Sequence, residues 1–235
     1  MIDIENLTKK FGKLVVLDGL DLNIKTGGIF AVLGPNGSGK TTLIKSILGM
    51  VIPNSGEITI DNVSVLKQWE YRNEINYLPQ IANFPANLTV MELIEMVKNL
   101  RPKKSHENEL ITIFGLTPFL NQKLGNLSGG TKQKVNIILT FMFDSKLIVL
   151  DEPTNGLDPI SLIHLKEIIK KEKENGKTLL ITTHIMGLVE EIADEIVFLL
   201  DGKIYFKGSV ADLKNQTNQT NIEHAIAHLL IKENV

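Results

Sequence analysis

Nine residues between two apolar segments constrain the fold of this chain more than any other feature. The run Ile29-Phe-Ala-Val-Leu33 predicts a buried strand, and Leu43-Ile-Lys-Ser-Ile-Leu48 predicts a helix. They are joined by a loop with three glycines, Gly34-Pro-Asn-Gly-Ser-Gly-Lys-Thr-Thr42. Because a strand, a loop of this spacing and a helix follow one another in this order, the sequence predicts a P-loop within an α/β fold.

The loop has the chemistry of a phosphate-binding cradle. Gly34, Gly37 and Gly39 allow the backbone to bring its N–H groups up to phosphate oxygens. The following helix adds the positive end of its dipole. Lys40 is placed to reach the β- and γ-phosphates of a nucleoside triphosphate, and the Thr41 hydroxyl is placed to ligate Mg²⁺. The predicted nucleotide-binding residues of this loop are Gly34, Pro35, Asn36, Gly37, Ser38, Gly39, Lys40, Thr41 and Thr42.

A second apolar run ends in two adjacent carboxylates, in Leu147-Ile-Val-Leu-Asp-Glu-Pro153. Ligands of open α/β sheets bind outside the carboxyl ends of the strands, so both carboxylates can face that crevice. Asp151 fits the role of orienting Mg²⁺, and Glu152 is then free to act as the general base on an attacking water. Such a pair is most often a solvated strand end, but in a chain with a phosphate loop the catalytic interpretation is favoured.

A third motif, Leu127-Ser-Gly-Gly-Thr-Lys-Gln-Lys-Val135, predicts a second anion site. Ser128 can cap the following helix, and Gly129 and Gly130 expose backbone amides at its N-terminus. With this motif the chain, from about Ile2 to about Leu230, resembles the ATP-binding subunits of ABC transporters. Leu127-Ser-Gly-Gly130 is similar to the signature of that family, whereas Lys134 stands where many members carry arginine.

The resemblance implies an ATPase with ATP and Mg²⁺ as cofactors. It implies an α/β fold with a P-loop NTPase (RecA-like) core, an antiparallel β-subdomain and an inserted α-helical subdomain that carries the signature. It also implies a homodimer in the ATP-bound state. In that dimer Ser128, Gly129 and Gly130 of one subunit close over the γ-phosphate that is held by the P-loop of the other.

Four further positions match the family in type and order. The resemblance implies that Phe11 stacks on adenine and that Gln80 contacts Mg²⁺ and the attacking water. It implies that Asp158 faces the site of the opposite subunit and that His184 contacts the γ-phosphate. Each residue alone would be ordinary, since Phe is usually core and a Pro-Gln pair is usually a turn. The implied catalytic residues are Glu152, His184 and Gln80, and the implied metal ligands are Thr41, Gln80 and Asp151.

The motifs predict one ATPase domain at residues 1–213. The P-loop and the carboxylates must meet around one phosphate, so the stretch between them is an insertion into a single core, with a helical subdomain at about 86–140. Residues 2–26 and 57–66 predict a small antiparallel sheet over the adenine. Apolar residues recur at helical spacing in the insertion, at Val90, Leu93, Ile94, Val97 and Leu100.

Residues 214–235 are predicted to form a polar linker and a C-terminal helix. The linker is the stretch Asn215-Gln-Thr-Asn-Gln-Thr220. The helix that follows has one apolar face and is predicted to dock on its own domain. The residues of that face are Ile222, Ala225, Ile226, Leu229 and Leu230.

Composition limits the partners. No run of ~18 apolar residues is present, so a membrane-spanning permease is predicted to be a separate chain, with this one peripheral at the cytoplasmic face of the membrane. The 235 residues include no cysteine, which excludes disulfides and thiolate metal sites. The net charge is −2 and the arginines are Arg72 and Arg101, so no basic stripe is present and nucleic acid is not an expected ligand.

Two functions from different classes remain open. The first is the energy-coupling subunit of a membrane transport system. The alternative is a soluble ABC-type ATPase that acts in DNA repair, translation or Fe–S assembly. Within the first, the compact cassette and the stretch Tyr77-Leu-Pro-Gln-Ile-Ala-Asn-Phe-Pro85 are similar to stand-alone ATPases of ABC-2-type systems, including those that process copper for nitrous-oxide reductase maturation.

Overall fold

Two sheets and a set of α-helices build the described part of the chain, residues 1–101 and 103–233, in a computed structural model. The strands are β1 (Ile2–Phe11), β2 (Leu14–Ile24), β3 (Gly28–Leu33), β4 (Ser55–Ile60), β5 (Val63–Ser64), β6 (Ile75–Leu78), β7 (Leu147–Asp151), β8 (Thr178–Thr182), β9 (Glu195–Leu200) and β10 (Lys203–Gly208). The helices are α1 (Lys40–Ile47), α2 (Val90–Leu100), α3 (Glu107–Ile113), α4 (Gly129–Phe141), α5 (Pro159–Glu174), α6 (Met186–Ile192), α7 (Val210–Thr217) and α8 (Ile222–Glu233).

The central sheet has six strands in the order β10-β9-β3-β8-β7-β6. All neighbours are parallel except β10, which is antiparallel to β9. Strands β7 and β8 are buried along their whole length, as expected for a parallel sheet that is covered on both faces. The carboxyl ends of β3, β6, β7 and β8 therefore meet at one edge, which positions the residues that follow each strand.

A second, four-stranded antiparallel sheet has the order β2-β1-β4-β5. It comprises the two segments that the sequence predicts for it. Its inner face packs on α1, because Leu7 and Leu17 share a buried cluster with Leu43 and Ile44. The hairpin of β1 and β2 consequently covers the helix that starts at the glycine-rich loop.

The predicted helical insertion contains α2, α3 and α4. Thr89 and Glu92 form a capping box that starts α2. The predicted apolar face is buried at its start, including Leu93, whereas Leu100 is 76% exposed. The helical spacing is therefore confirmed for α2, but its last apolar position does not belong to the core. The boundaries of the insertion stay a prediction.

The C-terminal segment differs from its prediction in one respect. Helix α7 starts at a capping box of Ser209 and Asp212, and it continues through the first residues of the predicted linker. The predicted boundary between residues 213 and 214 thus lies inside a helix. The reason is that Leu213 and Thr217, four residues apart, are buried on one face, while polar side chains occupy the solvent side.

Helix α8 docks on the domain as predicted. Its apolar residues, including Ile222 and Ala225, pack in a cluster with Phe198 of β9, Phe206 of β10 and Leu213 of α7. No helix within residues 1–101 and 103–233 has the length and hydropathy needed to cross a bilayer.

Candidate active site

The glycine-rich loop connects β3 to α1 as the sequence predicts, and two of its glycines cannot be replaced without a clash. Gly34 has φ +153°, and a Cβ atom there would lie 2.1 Å from the Leu199 carbonyl oxygen. Gly39 has φ +106°, and its Cβ would lie 2.8 Å from the Val16 carbonyl oxygen. Close approach of β9 and β2 therefore requires glycine at both positions.

The cation of the loop is buried and bound to the loop itself. Lys40 Nζ donates hydrogen bonds to the carbonyl oxygens of Gly34 (2.7 Å) and Pro35 (3.0 Å). Burial lowers the pKa of Lys40, and this effect is opposed by the negative charges of Glu152 and Asp151. The Lys40 side chain thus holds a positive charge next to the loop backbone, where an anionic ligand can replace the two carbonyls.

Ser38 gives a second indication of a ligand at this loop. Its side chain is buried, and among the described residues its Oγ has no hydrogen-bond partner. A buried hydroxyl without a partner is costly unless a ligand or water satisfies it. Together with the Lys40 charge, this hydroxyl fits an oxygen-rich anion such as the phosphates of ATP.

The two carboxylates follow β7 as predicted and lie beside the loop. Thr41 Oγ1 is 3.5 Å from Asp151 Oδ2, so the predicted metal ligands of the two motifs adjoin each other. On the other side Thr182 Oγ1 donates to Asp151 Oδ1 at 2.5 Å. Asp151 is therefore held between the helix that follows β3 and the end of β8, and an oxygen pair of this kind suits Mg²⁺.

Glu152 has a backbone conformation that side-chain-bearing residues rarely adopt, with φ +50°. Its N–H donates to the Thr182 carbonyl oxygen at 3.0 Å and lies 3.2 Å from Thr182 Oγ1. Its buried side chain reaches His184, whose Nδ1 is 2.9 Å from Glu152 Oε2. The strained residue is thus fixed at both ends by β8 and the segment after it, a pattern found at active sites.

Gln80 follows β6 at the same edge. Leu78 of β6 pairs with Leu150 of β7, so Gln80 and Glu152 each lie two residues beyond a paired position. The Gln80 residue is exposed, while the preceding carbonyl, that of Pro79, accepts a hydrogen bond from Asn136 Nδ2 at 3.1 Å. The structure thus brings Gln80 to the edge that carries Asp151 and Glu152.

Phe11 ends β1 and is 51% exposed. The Nζ atom of Lys9 lies 4.8 Å from the ring centroid, within the range of a cation–π contact. Lys9 Nζ also donates to the Ile52 carbonyl oxygen at 2.7 Å. An exposed aromatic ring at the tip of the β1–β2 hairpin is compatible with the predicted stacking on adenine.

The signature motif forms the start of α4, and the predicted N-cap is confirmed. Ser128 Oγ accepts a hydrogen bond from the Thr131 N–H at 3.2 Å. Ser128 and Gly129 are exposed, so the positive end of this helix is open to a ligand. A Cβ atom on Gly130 would lie 2.6 Å from the Gly156 carbonyl oxygen, so the segment after Glu152 packs directly on the motif.

Asp158 has two partners within its own chain. It caps α5 by accepting from the Ser161 N–H at 2.9 Å, and it forms an ion pair with Lys134 Nζ at 2.8 Å. The hydrogen bond from Lys134 is the largest cause that holds the pKa of Asp158 well below its usual range, followed by those from Ser161. Lysine at position 134 therefore ties the signature helix to the start of α5.

Three residues at the site are missing from the sequence-based predictions, namely Thr182, Gln133 and Asn136. Thr182 is fully buried and contacts both Asp151 and Glu152. Gln133 Nε2 donates to the Pro153 carbonyl oxygen at 2.9 Å. The signal that could have found them is polarity at positions where the periodicity of a strand or helix predicts a buried side chain.

A cleft of about 530 Å³ opens elsewhere, between α3 and α5, and none of the predicted site residues lines it. Its walls include Leu110, Phe141 and Ile168, with His106 and His164 beside them. The predicted catalytic residues lie instead at the carboxyl edge of the central sheet.

Comparison with known proteins agrees with this geometry. A family model described as ABC transporter matches residues 17–155, more than half of the chain. The chain belongs to the ABC transporter family. It is an ATP-binding subunit and an ATPase of that family, because this stretch holds the P-loop, the signature and the carboxylate pair.

Relatives and solved structures are similar over most of the chain. The lantibiotic transport ATP-binding protein SrtF of Streptococcus pyogenes is 36% identical, covering 87% of this chain and 89% of the relative. The bacitracin transport ATP-binding protein BcrA of Bacillus licheniformis is 34% identical, covering 87% and 68%.

Among solved structures, an ATP-binding subunit of an ABC transporter has a TM-score of 0.91 at 28% identity, covering 98% of this chain and 99% of that one. A dimeric ATP-binding cassette in a post-hydrolysis state, bound to ADP and Pi, has a TM-score of 0.79 at 29% identity, covering 89% and 99%. These similarities confirm the predicted fold class.

Proposed function

We propose that this subunit hydrolyses ATP within a head-to-tail homodimer and thereby drives a separate transmembrane permease. The observation that carries the proposal is that one chain has two surfaces for one kind of anion. The first is the sheet edge with Lys40, Asp151 and Glu152. The second is the exposed N-terminus of α4 at Ser128 and Gly129, which a second copy can complete.

The residues of the sheet edge divide the chemistry between them. Lys40 binds the β- and γ-phosphates, and Thr41, Asp151 and Gln80 would hold Mg²⁺, which neutralises phosphate charge when bound. Glu152 accepts the proton of the attacking water, and the 2.9 Å contact from His184 fixes the orientation of its carboxylate. Phe11 stacks on the adenine, and Ser128, Gly129 and Asp158 act on the site of the opposite subunit.

Two features support a membrane partner. SrtF and BcrA are named as ATP-binding proteins of lantibiotic and bacitracin transport, and this chain has, in its described residues, no helix that could cross a bilayer. A separate permease would supply the transport path, with this subunit peripheral at the cytoplasmic face. The named relatives give no support to a role in DNA repair, translation or Fe–S assembly, and a role in copper processing stays a prediction.

The experiment combines an assay of ATP hydrolysis with the isolation of a membrane partner. Phosphate release by the purified chain is measured with ATP and Mg²⁺, and the tagged chain is then recovered from detergent-solubilised membranes of its native host. We expect hydrolysis that EDTA abolishes, and co-purification of a multi-span membrane protein at a stoichiometric ratio. Hydrolysis without any stoichiometric membrane partner would contradict the transport half of the proposal.

A further inference from the structure

Two buried amides on α4, the signature helix, contact two turns at the sheet edge. The Gln80 turn follows β6, and the Glu152 turn follows β7. Gln133 and Asn136 are three residues apart on α4, and their exposed fractions are 7% and 4%. Gln133 donates to the carbonyl oxygen of Pro153, one residue after Glu152. Asn136 donates to the carbonyl oxygen of Pro79, one residue before Gln80.

The two amides also contact each other. Asn136 Nδ2 is 3.5 Å from Gln133 Oε1, so a continuous path of polar contacts runs from Pro79 through both side chains to Pro153. Residues at i and i+3 lie on the same face of a helix, so α4 presents both amides to the sheet edge at once.

Burial makes the loss of either hydrogen bond in this path unfavourable. An apolar side chain at position 133 would leave the buried Pro153 carbonyl without this donor, and one at position 136 would do the same to the partly buried Pro79 carbonyl, which is unfavourable in both cases. Hydrogen bonds are directional, so they fix the position of a turn more narrowly than apolar packing does. Pro153 and Pro79 have no backbone N–H, so at these two residues only the carbonyl can form a backbone hydrogen bond to the helix.

We infer that Gln133 and Asn136 are positioning residues that couple the Gln80 turn to the Glu152 turn through the signature helix of the same chain. A displacement of the Gln80 turn moves Asn136 through its hydrogen bond to Pro79. The signature helix moves with it, and Gln133 then shifts Pro153 and the adjacent Glu152. This inference rests on the proposed roles of Glu152 and Gln80.

The test measures steady-state ATP hydrolysis by full-length Asn136→Leu and Gln133→Met, which keep the approximate size of each side chain. We expect kcat to fall about tenfold, with KM for ATP within threefold of wild type, because the amides position the base without touching the nucleotide. In the double variant the losses are not additive, since either change alone breaks the path.

Thr140→Val is the matched control. Thr140 is buried on the same helix face and donates to the Asn136 carbonyl oxygen at 2.8 Å. Its hydroxyl also lies 3.4 Å from the Tyr77 carbonyl oxygen within β6, but it bonds to neither Pro79 nor Pro153. We expect a loss of thermal stability comparable to that of Asn136→Leu, with kcat within twofold of wild type. If Asn136→Leu does not fold, Asn136→Ser replaces it, because its shorter hydroxyl does not reach Pro79.

Unchanged kcat in both amide variants, or equal losses of kcat in Thr140→Val, would overturn the inference. A parallel Glu152→Gln measurement separates this outcome from a failure of the proposed function. If Glu152→Gln loses hydrolysis and the amide variants do not, only the coupling is wrong. If Glu152→Gln stays within threefold of wild type, the role of Glu152 itself is wrong.

Discussion

The sheet edge and the N-terminus of α4 differ in how far their functional groups are already fixed by partners in the same chain. At the sheet edge Thr182 holds Asp151, and His184 contacts Glu152. At α4 the Ser128 hydroxyl caps its own helix while Ser128 and Gly129 remain exposed. In the proposed function, one chain therefore carries a nearly assembled catalytic half, the sheet edge, and an open binding half, the N-terminus of α4.

In the proposed dimer, this difference explains why one chain carries both halves and still needs a second copy. Asp151 and Glu152 are already held in place, and such preorganisation is where electrostatic catalysis gains most. Lys40 alone must exchange its two carbonyl partners for the phosphate. An exposed helix N-terminus contributes binding energy only when an anion lies next to its N–H groups.

Glu152→Gln is expected to give the largest effect. The amide keeps the shape of the side chain but cannot accept the proton of water, and loss of a general base lowers rates by roughly 10²–10⁴. The measurement is kcat together with ATP affinity, and the affinity should be retained. Hydrolysis within threefold of wild type would mean that another group at the edge is the base.

Lys40→Ala tests the phosphate half of the edge. Hydrogen bonds to a charged group contribute about 1.5–3 kcal/mol, so ATP should bind about 10- to 100-fold more weakly while adenosine is unaffected. Titration calorimetry with both ligands gives the comparison. The control is Lys45→Ala, an exposed residue of the same helix. Equal losses for ATP and adenosine would show that the loop had unfolded instead.

Thr182→Val tests how much the contacts that hold Asp151 and Glu152 in place contribute to the rate of hydrolysis. The change removes the donor to Asp151 and the hydroxyl beside the Glu152 N–H, and we expect kcat to fall about tenfold, which corresponds to ~1.4 kcal/mol. Thr178→Val is the control, because Thr178 is equally buried at the other end of β8 and accepts from the Gly27 N–H. Similar kcat values for the two variants would show that Thr182 is merely structural.

Lys134→Met is expected to have the smallest effect, which is on folding stability. It removes the ion pair with Asp158 that ties the signature helix to the start of α5. Lys134 lowers the pKa of Asp158 in the folded state, so the ion pair adds stability above the unfolded carboxyl pKa near 4, and this is lost as pH falls through the folded pKa. The partly exposed pair contributes at most about 1 kcal/mol.

Urea unfolding at pH 7 and pH 3 measures that contribution. The wild type should be the more stable protein at pH 7, and its advantage should shrink at pH 3. Lys132→Met, which removes a charge from the same helical turn, serves as the control. An advantage that grows on acidification would contradict the assignment of the pKa shift to this pair.

Local motifs were predictable from sequence because neighbouring residues determine their geometry. The glycine-rich loop, the carboxylates after β7 and the Ser128 cap each depend on a short stretch with a strand or helix signal. The contacts of Thr182 and Asn136 were not predictable, because they depend on which strands are neighbours and on how α4 is rotated against β6. Thr182 and Asp151 are 31 positions apart and Asn136 and Pro79 are 57 positions apart, so no local pattern places them together.

The start of the polar linker differs from its prediction for a similar reason, whereas residues 218–221 do connect α7 to α8 without helix. The composition of residues 215–220 indicates a loop, but burial of Leu213 and Thr217 against the domain stabilises α7 through residue 217. Tertiary packing thus outweighed local propensity, as it often does in short helices. The docked face of α8 was predictable because its apolar residues recur with helical period.

We propose that a second copy completes the open α4 terminus, and light scattering of the Glu152→Gln protein tests this. We expect a monomer without nucleotide and a mass twice as large with ATP and Mg²⁺. Adding Gly129→Asp should restore the monomer, because a negative charge at the docking phosphate costs several kcal/mol. A dimer that persists in the double variant, or one that forms without ATP, would contradict the claim.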